Sequence, residues 1–196
     1  MIYSIAAVLS WPAVRLLYRY HAYGKEHLPR EGGFVLAAGH LSNFDPWPLG
    51  LALWPRRFLR FMAKAELFWF PLSAILRAGG AFRVYRGKSD REAVKTAIAL
   101  ARAGHVVAMF PEGTRRRKRA GDRVFTGAAR IALEAGVPLV PAGIKGTDGL
   151  ARFAPLRVRY GEPIELGDLR DRAPAEGARI ATKRLMAAID ELEGSL

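Results

Sequence analysis

A histidine and an aspartate that follow an apolar segment form the first group of residues capable of acid–base chemistry. His40 follows the apolar run at residues 33–38 after a single glycine, and Asp45 lies five residues beyond His40. A carboxylate beside an imidazole fixes the orientation of the ring and stabilises its protonated form, so His40 is a candidate general base. The alternative is a structural histidine capped by Asp45, and the spacing alone leaves both interpretations open.

A second polar group follows another apolar run, at residues 105–110, and reads Phe-Pro-Glu-Gly-Thr-Arg over residues 110–115. Arg115 offers a planar fork of N–H donors that suits a phosphate group. Glu112 can anchor that arginine or accept a hydrogen bond from a glycerol hydroxyl, and Gly113 permits close approach of the backbone to a substrate. A plain surface turn with a solvated salt bridge is the alternative interpretation.

The pattern of apolar runs and helix signals predicts an α/β domain that positions both groups at strand ends. The predicted strands are residues 33–38, 81–85, 105–110, 138–144 and 156–160, and the predicted helices include residues 89–103, 127–134 and 173–193. We expect a single domain with a central, mostly parallel or mixed sheet flanked by helices. Ligands of such sheets collect beyond the carboxyl ends of the strands. The last strand is predicted to lie at a sheet edge because its arginines alternate.

Composition restricts the chemistry and the partners. The chain has 196 residues, 51% of them hydrophobic, with a formal net charge of +13 and no cysteine. The absence of cysteine excludes disulfides, thiolate zinc sites and a cysteine nucleophile. The charge indicates an anionic partner: nucleic acid, phospholipid headgroups or a phosphorylated substrate. Nucleic acid is disfavoured because the basic residues do not interleave with aromatic residues in a recognisable module.

Residues 1–20 predict an amino-terminal interfacial helix, followed by the main domain at residues 21–196. The segment is too short for a membrane span and is interrupted by Pro12, Arg15 and Arg19. It also lacks the basic start and cleavage site of a signal peptide. Its tryptophan, tyrosine and arginine residues suit a helix that lies among lipid headgroups. A helix packed on the domain core is the alternative.

Taken together, the motifs resemble those of the glycerophospholipid acyltransferase family, in its lysophosphatidate acyltransferase group. The shared blocks occur in the family's order, at residues 40–45, 80–86, 110–115 and 137–141, and a further similar segment covers residues 64–68. The likeness extends over roughly residues 22–145. The His-x4-Asp block is not specific, but Phe-Pro-Glu-Gly-Thr-Arg accompanied by the other blocks is highly specific.

The resemblance implies an enzyme in which His40 deprotonates the acceptor hydroxyl, which then attacks the thioester carbonyl of acyl-CoA or acyl-carrier protein. Asp45 orients His40, and backbone donors at Gly113 stabilise the oxyanion. No metal or cofactor is expected. The implied substrate-binding residues are Glu112, Gly113, Thr114, Arg115, Arg86 and Lys64.

The implied acceptor is the sn-2 hydroxyl of 1-acyl-glycerol-3-phosphate, and the product is phosphatidic acid. Phe125 stands where the family commonly has a basic residue, so another lysolipid acceptor, such as a lyso-ornithine lipid, stays open. A non-catalytic protein that binds anionic membranes is the alternative from a different class. We expect a peripheral or monotopic association with the cytoplasmic face of a membrane, where activated acyl donors reside.

Overall fold

The computed structural model describes residues 2–85, 91–113, 124–169 and 171–196. Within these ranges one mixed sheet forms the centre of the molecule, with strand order β1-β7-β6-β2-β5-β3-β4. The strands are β1 (His21–Tyr23), β2 (Phe34–Ala38), β3 (Leu59–Lys64), β4 (Ala81–Val84), β5 (Val106–Met109), β6 (Leu139–Lys145) and β7 (Arg157–Tyr160).

Five neighbouring strands run in the same direction, which gives the sheet a defined carboxyl edge. β6, β2, β5, β3 and β4 are parallel, while β7 runs antiparallel to β6 and parallel to β1. The register pairs Leu36 with Ala108 on β5 and with Val140 on β6. The segments that leave β2, β5, β6, β3 and β4 therefore all emerge at this carboxyl edge.

Helices cover both faces of the sheet and create two cores. The helices are α1 (Ile2–Leu17), α2 (Pro46–Leu51), α3 (Leu72–Ala78), α4 (Arg91–Arg102), α5 (Gly127–Ala135) and α6 (Pro174–Gly194). Because strand side chains alternate, Phe34 and Leu36 pack on the face of α1 and α2, and Val35 and Ala37 pack on the face of α4, α5 and α6. Burial on both faces explains why β2 is a continuous apolar run.

The predicted fold class is confirmed, since the domain is an α/β sheet flanked by helices. The predicted strands and helices all correspond to observed ones within the described residues, with boundaries that differ by at most two residues. The first two residues of the helix predicted at 89–103 lie outside the described residues.

The prediction that residues 156–160 form an edge strand is wrong. β7 lies inside the sheet, between β6 and β1, and pairs with β1 from His21–Arg157 to Tyr23–Arg159. Its arginines have other partners: Arg157 donates to the Leu196 carbonyl, and the Arg159 guanidinium stacks over Tyr23 at 5.1 Å. β1 has only three residues, too few for a periodic signal in the sequence.

α1 packs on the domain through part of its surface. Val14 is buried in the core, Ser10 accepts a hydrogen bond from the Trp47 indole (3.3 Å), and Trp11 contacts Tyr20 edge to face at 6.1 Å. Leu16 and Leu17 are exposed. No helix in the described part of the chain has the length and apolar character needed to cross a bilayer.

Candidate active site

Three adjacent parallel strands bring the candidate catalytic residues together at the carboxyl edge. His40 follows β2, Phe110 follows β5 and Thr147 follows β6. Since β2 lies between β6 and β5, His40 has neighbours from both flanking strands. The strand order thus assembles residues that are far apart in the sequence, as expected for a ligand site of a parallel sheet.

His40 and Asp45 form the hydrogen-bonded pair that their spacing suggested. His40 Nδ1 lies 2.7 Å from Asp45 Oδ2, and both residues are buried. A carboxylate can only accept, so Nδ1 carries the proton, and Nε2 of the neutral ring has a lone pair. Among the described residues, none is hydrogen-bonded to Nε2. The pair therefore has the tautomer and orientation that a general base requires.

Asp45 is held by four hydrogen-bond donors. Its Oδ2 accepts from His40 and from the backbone N–H groups of Leu41 (2.8 Å) and Ser42 (2.9 Å), and its Oδ1 accepts from the Thr147 hydroxyl at 2.5 Å. The side chain turns back to the preceding loop and makes no capping bond to α2. With 0% of its surface exposed, the carboxylate depends on these donors in place of water.

Thr147 is the functional candidate that the sequence analysis missed. It lies 102 residues from Asp45, in the turn that follows β6, and is buried. Gly146 has φ +92°, and a Cβ there would lie 2.1 Å from the Pro155 carbonyl oxygen, so the turn requires glycine. The available signal was a polar Gly-Thr pair directly after a buried strand.

The aromatic ring of Phe110 fixes the plane of the His40 imidazole. The two rings stack with centroids 4.4 Å apart and an interplanar angle of 23°. Phe110 is half-buried and packs against the core beneath the site. The imidazole is thus held at one edge by a carboxylate and on one face by an aromatic ring.

Glu112 and Gly113 form a tight turn beyond β5. Glu112 is buried (2% exposed), so the interpretation of this segment as a solvated salt bridge is wrong for this carboxylate. The Gly113 N–H donates to the Phe110 carbonyl (2.9 Å), so presenting this N–H to an oxyanion requires that bond to open. Gly113 has φ +68°, and a Cβ there would lie 2.7 Å from the Phe125 ring.

Of the four predicted substrate-binding residues outside the turn at Glu112 and Gly113, Lys64 alone lies within the described residues, at the end of β3. It is exposed and pairs in register with Val84, two positions before Arg86. Arg86, Thr114 and Arg115 lie outside the described residues. The role of all four in binding substrate stays a prediction.

The described part of the chain offers no metal site beside these residues, and a cavity in it lies away from His40. No cluster of three or more His, Cys, Asp or Glu side chains there can hold a metal ion. A cavity of ≈ 940 Å³, lined in part by Tyr23, Arg159 and Leu192, lies between β1, β7 and α6. Ile164, which also lines the cavity, pairs with Leu139 at the start of β6, so this cavity lies toward the amino edge, away from His40.

Comparison with known proteins connects this geometry to a family. The family model described as Acyltransferase matches residues 19–145, which include His40, Asp45 and Phe110. A 1-acyl-sn-glycerol-3-phosphate acyltransferase of Bacillus subtilis is 33% identical over 180 residues, which cover 89% of this chain and 88% of that protein. The chain therefore belongs to the acyltransferase family and is an enzyme of that class.

Other relatives are longer, and the fold is also found among solved structures. A 1-acyl-sn-glycerol-3-phosphate acyltransferase of Borreliella burgdorferi is 30% identical over 130 residues, which cover 64% of this chain and 50% of that protein. The crystal structure of the 1-acyl-sn-glycerophosphate acyltransferase PlsC of Thermotoga maritima matches with a TM-score of 0.66 at 22% identity, covering 97% of this chain and 82% of that one. The motif-based resemblance to glycerophospholipid acyltransferases is thereby confirmed.

Proposed function

We propose that this acyltransferase moves a fatty acyl group from a thioester donor to the sn-2 hydroxyl of 1-acyl-glycerol-3-phosphate, giving phosphatidic acid, with His40 as general base. The observation that carries the proposal is the His40–Asp45 hydrogen bond of 2.7 Å at the carboxyl edge of the sheet. The names of the relatives support the acceptor, and the buried, four-donor environment of Asp45 supports its role in orienting the base.

The chemistry follows from the tautomer. His40 Nε2 takes the proton of the acceptor hydroxyl as its oxygen attacks the thioester carbonyl carbon. The resulting imidazolium is stabilised by the Asp45 carboxylate on the opposite nitrogen. When the tetrahedral intermediate collapses, the C–S bond breaks and the thiolate leaves with the proton that His40 returns. The hydroxyl of the lipid is the nucleophile, so no acyl-enzyme is formed.

Acceptor recognition rests on cations at the carboxyl edge. Lys64 is exposed at the carboxyl end of β3. β3 lies next to β5, whose carboxyl end leads to Phe110. An ammonium at this position suits the phosphate of the acceptor, and Arg86 and Arg115 are proposed to add guanidinium donors. Acyl-CoA and acyl-carrier protein are both suitable donors, since the reacting thioester is the same in each.

Attachment to the cytoplasmic face of a membrane is part of the proposal, because the acceptor is a lipid. α1 leaves Val8, Leu16 and Leu17 exposed, beside the cations Arg15 and Arg19. Apolar side chains next to arginine suit a helix that lies in the headgroup region of an anionic bilayer. This arrangement supports a peripheral or monotopic protein.

The direct test follows thiol release from palmitoyl-CoA in the presence and absence of lysophosphatidate. We expect release that depends on the acceptor, and a loss on the order of 10²–10⁴-fold in His40→Ala. His21→Ala is the matched control, because His21 is exposed on β1 and far from the site. Full activity of His40→Ala would remove the general base from the mechanism.

The same assay separates the donors and acceptors. Palmitoyl-carrier protein and a lyso-ornithine lipid replace each substrate in turn. If acyl transfer occurs only to the lyso-ornithine lipid, the proposed mechanism is retained and lysophosphatidate is replaced as the acceptor. If the wild type releases no thiol with any pair of donor and acceptor, the proposed function is contradicted. A non-catalytic protein that binds anionic membranes is then favoured.

A further inference from the structure

The segment between β3 and β4, residues 65–79, is apolar in sequence but contributes nothing to the core. It consists of a 3₁₀ turn (Ala65–Leu67), a loop and α3, and none of its residues is buried. Phe70 is 86% exposed, Ile75 63% and Trp69 58%. We name residues 65–79 the β3–β4 excursion.

Exposure of this kind is costly unless another surface covers it. Large apolar side chains that cluster on a protein surface mark sites of interaction with membranes or with other macromolecules. The excursion is also tied to the domain: the Arg83 guanidinium of β4 stacks over Phe68 at 5.1 Å, and α3 leads directly into β4. Trp69 and Phe70 are therefore exposed on a segment that is itself held against β4.

The position of the excursion is defined by the sheet. It leaves from the carboxyl end of β3, and β3 lies next to β5, whose following residue Phe110 stacks on His40. Phe44, in the loop between His40 and α2, is exposed at the same edge. A surface that covered Trp69 and Phe70, which come before α3, would therefore also face the catalytic edge, whereas α3 returns the chain to the amino end of β4.

The charged residues around the β3–β4 excursion indicate which kind of surface covers it. Lys64, Arg77 and Arg83 are exposed in and beside the excursion, and Glu66 is the acidic residue among them. Aromatic side chains surrounded by cations suit the boundary between headgroups and acyl chains of an anionic bilayer. A second copy of the chain would bring a like net charge of +13 against this surface, which disfavours self-association.

We propose that the β3–β4 excursion inserts Trp69 and Phe70 into the interface of an anionic phospholipid bilayer and so brings the carboxyl edge of the sheet against the lipid. The proposal rests on the proposed function, in which the acceptor is a lipid. Docking through the excursion places the mouth of the site where a lysolipid headgroup emerges from the bilayer. The acceptor then reaches His40 without leaving the interface completely.

Vesicle co-sedimentation measures the docking directly. Vesicles of phosphatidylcholine alone are compared with vesicles that also contain phosphatidylglycerol. We expect Phe70→Ser to lower partitioning onto the anionic vesicles by about 10-fold, since burial of one large aromatic side chain is removed. Phe58→Ser is the matched control, because Phe58 is 41% exposed but precedes β3 at the amino edge. Ile75→Ser provides a second variant and is expected to act in the same direction.

The charge contribution has its own variant. Lys64→Gln, at the carboxyl end of β3, is expected to lower partitioning onto anionic vesicles by about 5-fold, and to leave partitioning onto neutral vesicles unchanged. An equal loss on both kinds of vesicle would contradict the role of charge in the proposal. Thermal unfolding of every variant checks that these exposed substitutions leave the fold intact.

Turnover separates docking from catalysis. With a short-chain lysophosphatidate that dissolves as a monomer, Phe70→Ser is expected to keep wild-type turnover, and with acceptor embedded in vesicles it is expected to lose about 10-fold. Wild-type partitioning of Phe70→Ser and Ile75→Ser would overturn the proposal. So would equal loss of turnover with both acceptors, or a wild-type dimer in vesicle-free solution that Phe70→Ser converts to monomers. A wild type that docks through Phe70 but transfers no acyl group contradicts the proposed function alone.

Discussion

Replacing Thr147 by valine removes one donor from the buried carboxylate that orients His40. The Thr147 hydroxyl donates to Asp45 Oδ1 at 2.5 Å, while Oδ2 accepts the bonds from His40 and the loop. Valine has nearly the same shape, so the change deletes a hydrogen bond rather than a packed side chain. Both Thr147 and Asp45 are buried, and water does not readily replace the missing donor.

The magnitude follows from the type of bond. A hydrogen bond to a charged group contributes about 1.5–3 kcal/mol, and leaving the acceptor buried without its partner costs a comparable amount. We expect the free energy of unfolding to fall by about 2 kcal/mol. With Oδ1 released, the carboxylate can rotate and lengthen its bond to His40. We expect kcat to fall about 10-fold, which corresponds to about 1.4 kcal/mol in the activation barrier.

The assay combines thiol-release kinetics with denaturant unfolding, and Thr147→Ser serves as the control that keeps the hydroxyl. We expect serine to recover most of kcat, and the KM for the acceptor to stay close to that of the wild type in both variants. A Thr147→Val protein that loses stability but keeps kcat would reduce Thr147 to a structural residue. A rise in KM with unchanged kcat would make it a substrate contact instead, and either result refutes a positioning role.

Three further changes test the site and the fold. Asp45→Asn is expected to lower kcat on the order of 10²–10⁴-fold in the thiol-release assay, because the amide no longer holds the imidazolium. Gly113→Ala is expected to lower stability by about 1–2 kcal/mol in denaturant unfolding, because its φ of +68° disfavours a side chain and its Cβ would meet the Phe125 ring. The hydrogen bond from Arg184 holds the pKa of Asp168 below its ordinary value, so this carboxylate stabilises the fold above its unfolded-state pKa and loses that effect as the pH falls through its folded-state pKa. Asp168→Asn should therefore lower the Tm at neutral pH, with a difference from wild type that shrinks below about pH 4.

The sequence was sufficient to predict the elements whose residues are buried on both faces. β2, β5 and β6 are short continuous apolar runs, and their carboxyl ends carry the polar motifs. The His40–Asp45 pair was also predictable, because it is formed within one loop and its spacing is read directly. These features depend on local pattern, and local pattern is what a single sequence contains.

The features that the sequence did not reveal depend on contacts between distant segments. β7 carries alternating arginines typical of an edge strand, but the three-residue β1 covers it. Thr147 donates a hydrogen bond to Asp45, which is 102 residues away, and no sequence pattern near either residue predicts this contact. Asp45 directly precedes α2 but makes no capping bond to it, because its oxygens are occupied by the loop and by Thr147. The first two outcomes were decided by residues distant in sequence, and the third by the neighbouring loop together with Thr147.

The strand order explains why the base is built after β2 and not elsewhere on the same edge. β2 has a parallel strand on each side, so the residue that follows it can be held from both: Phe110 comes from beyond β5, and Thr147 comes from beyond β6 by way of Asp45. A histidine after β4, at the end of the sheet, would have support from one side only. The buried carboxylate is tolerated because completed strands deliver its donors, so the catalytic geometry and the central sheet must form together.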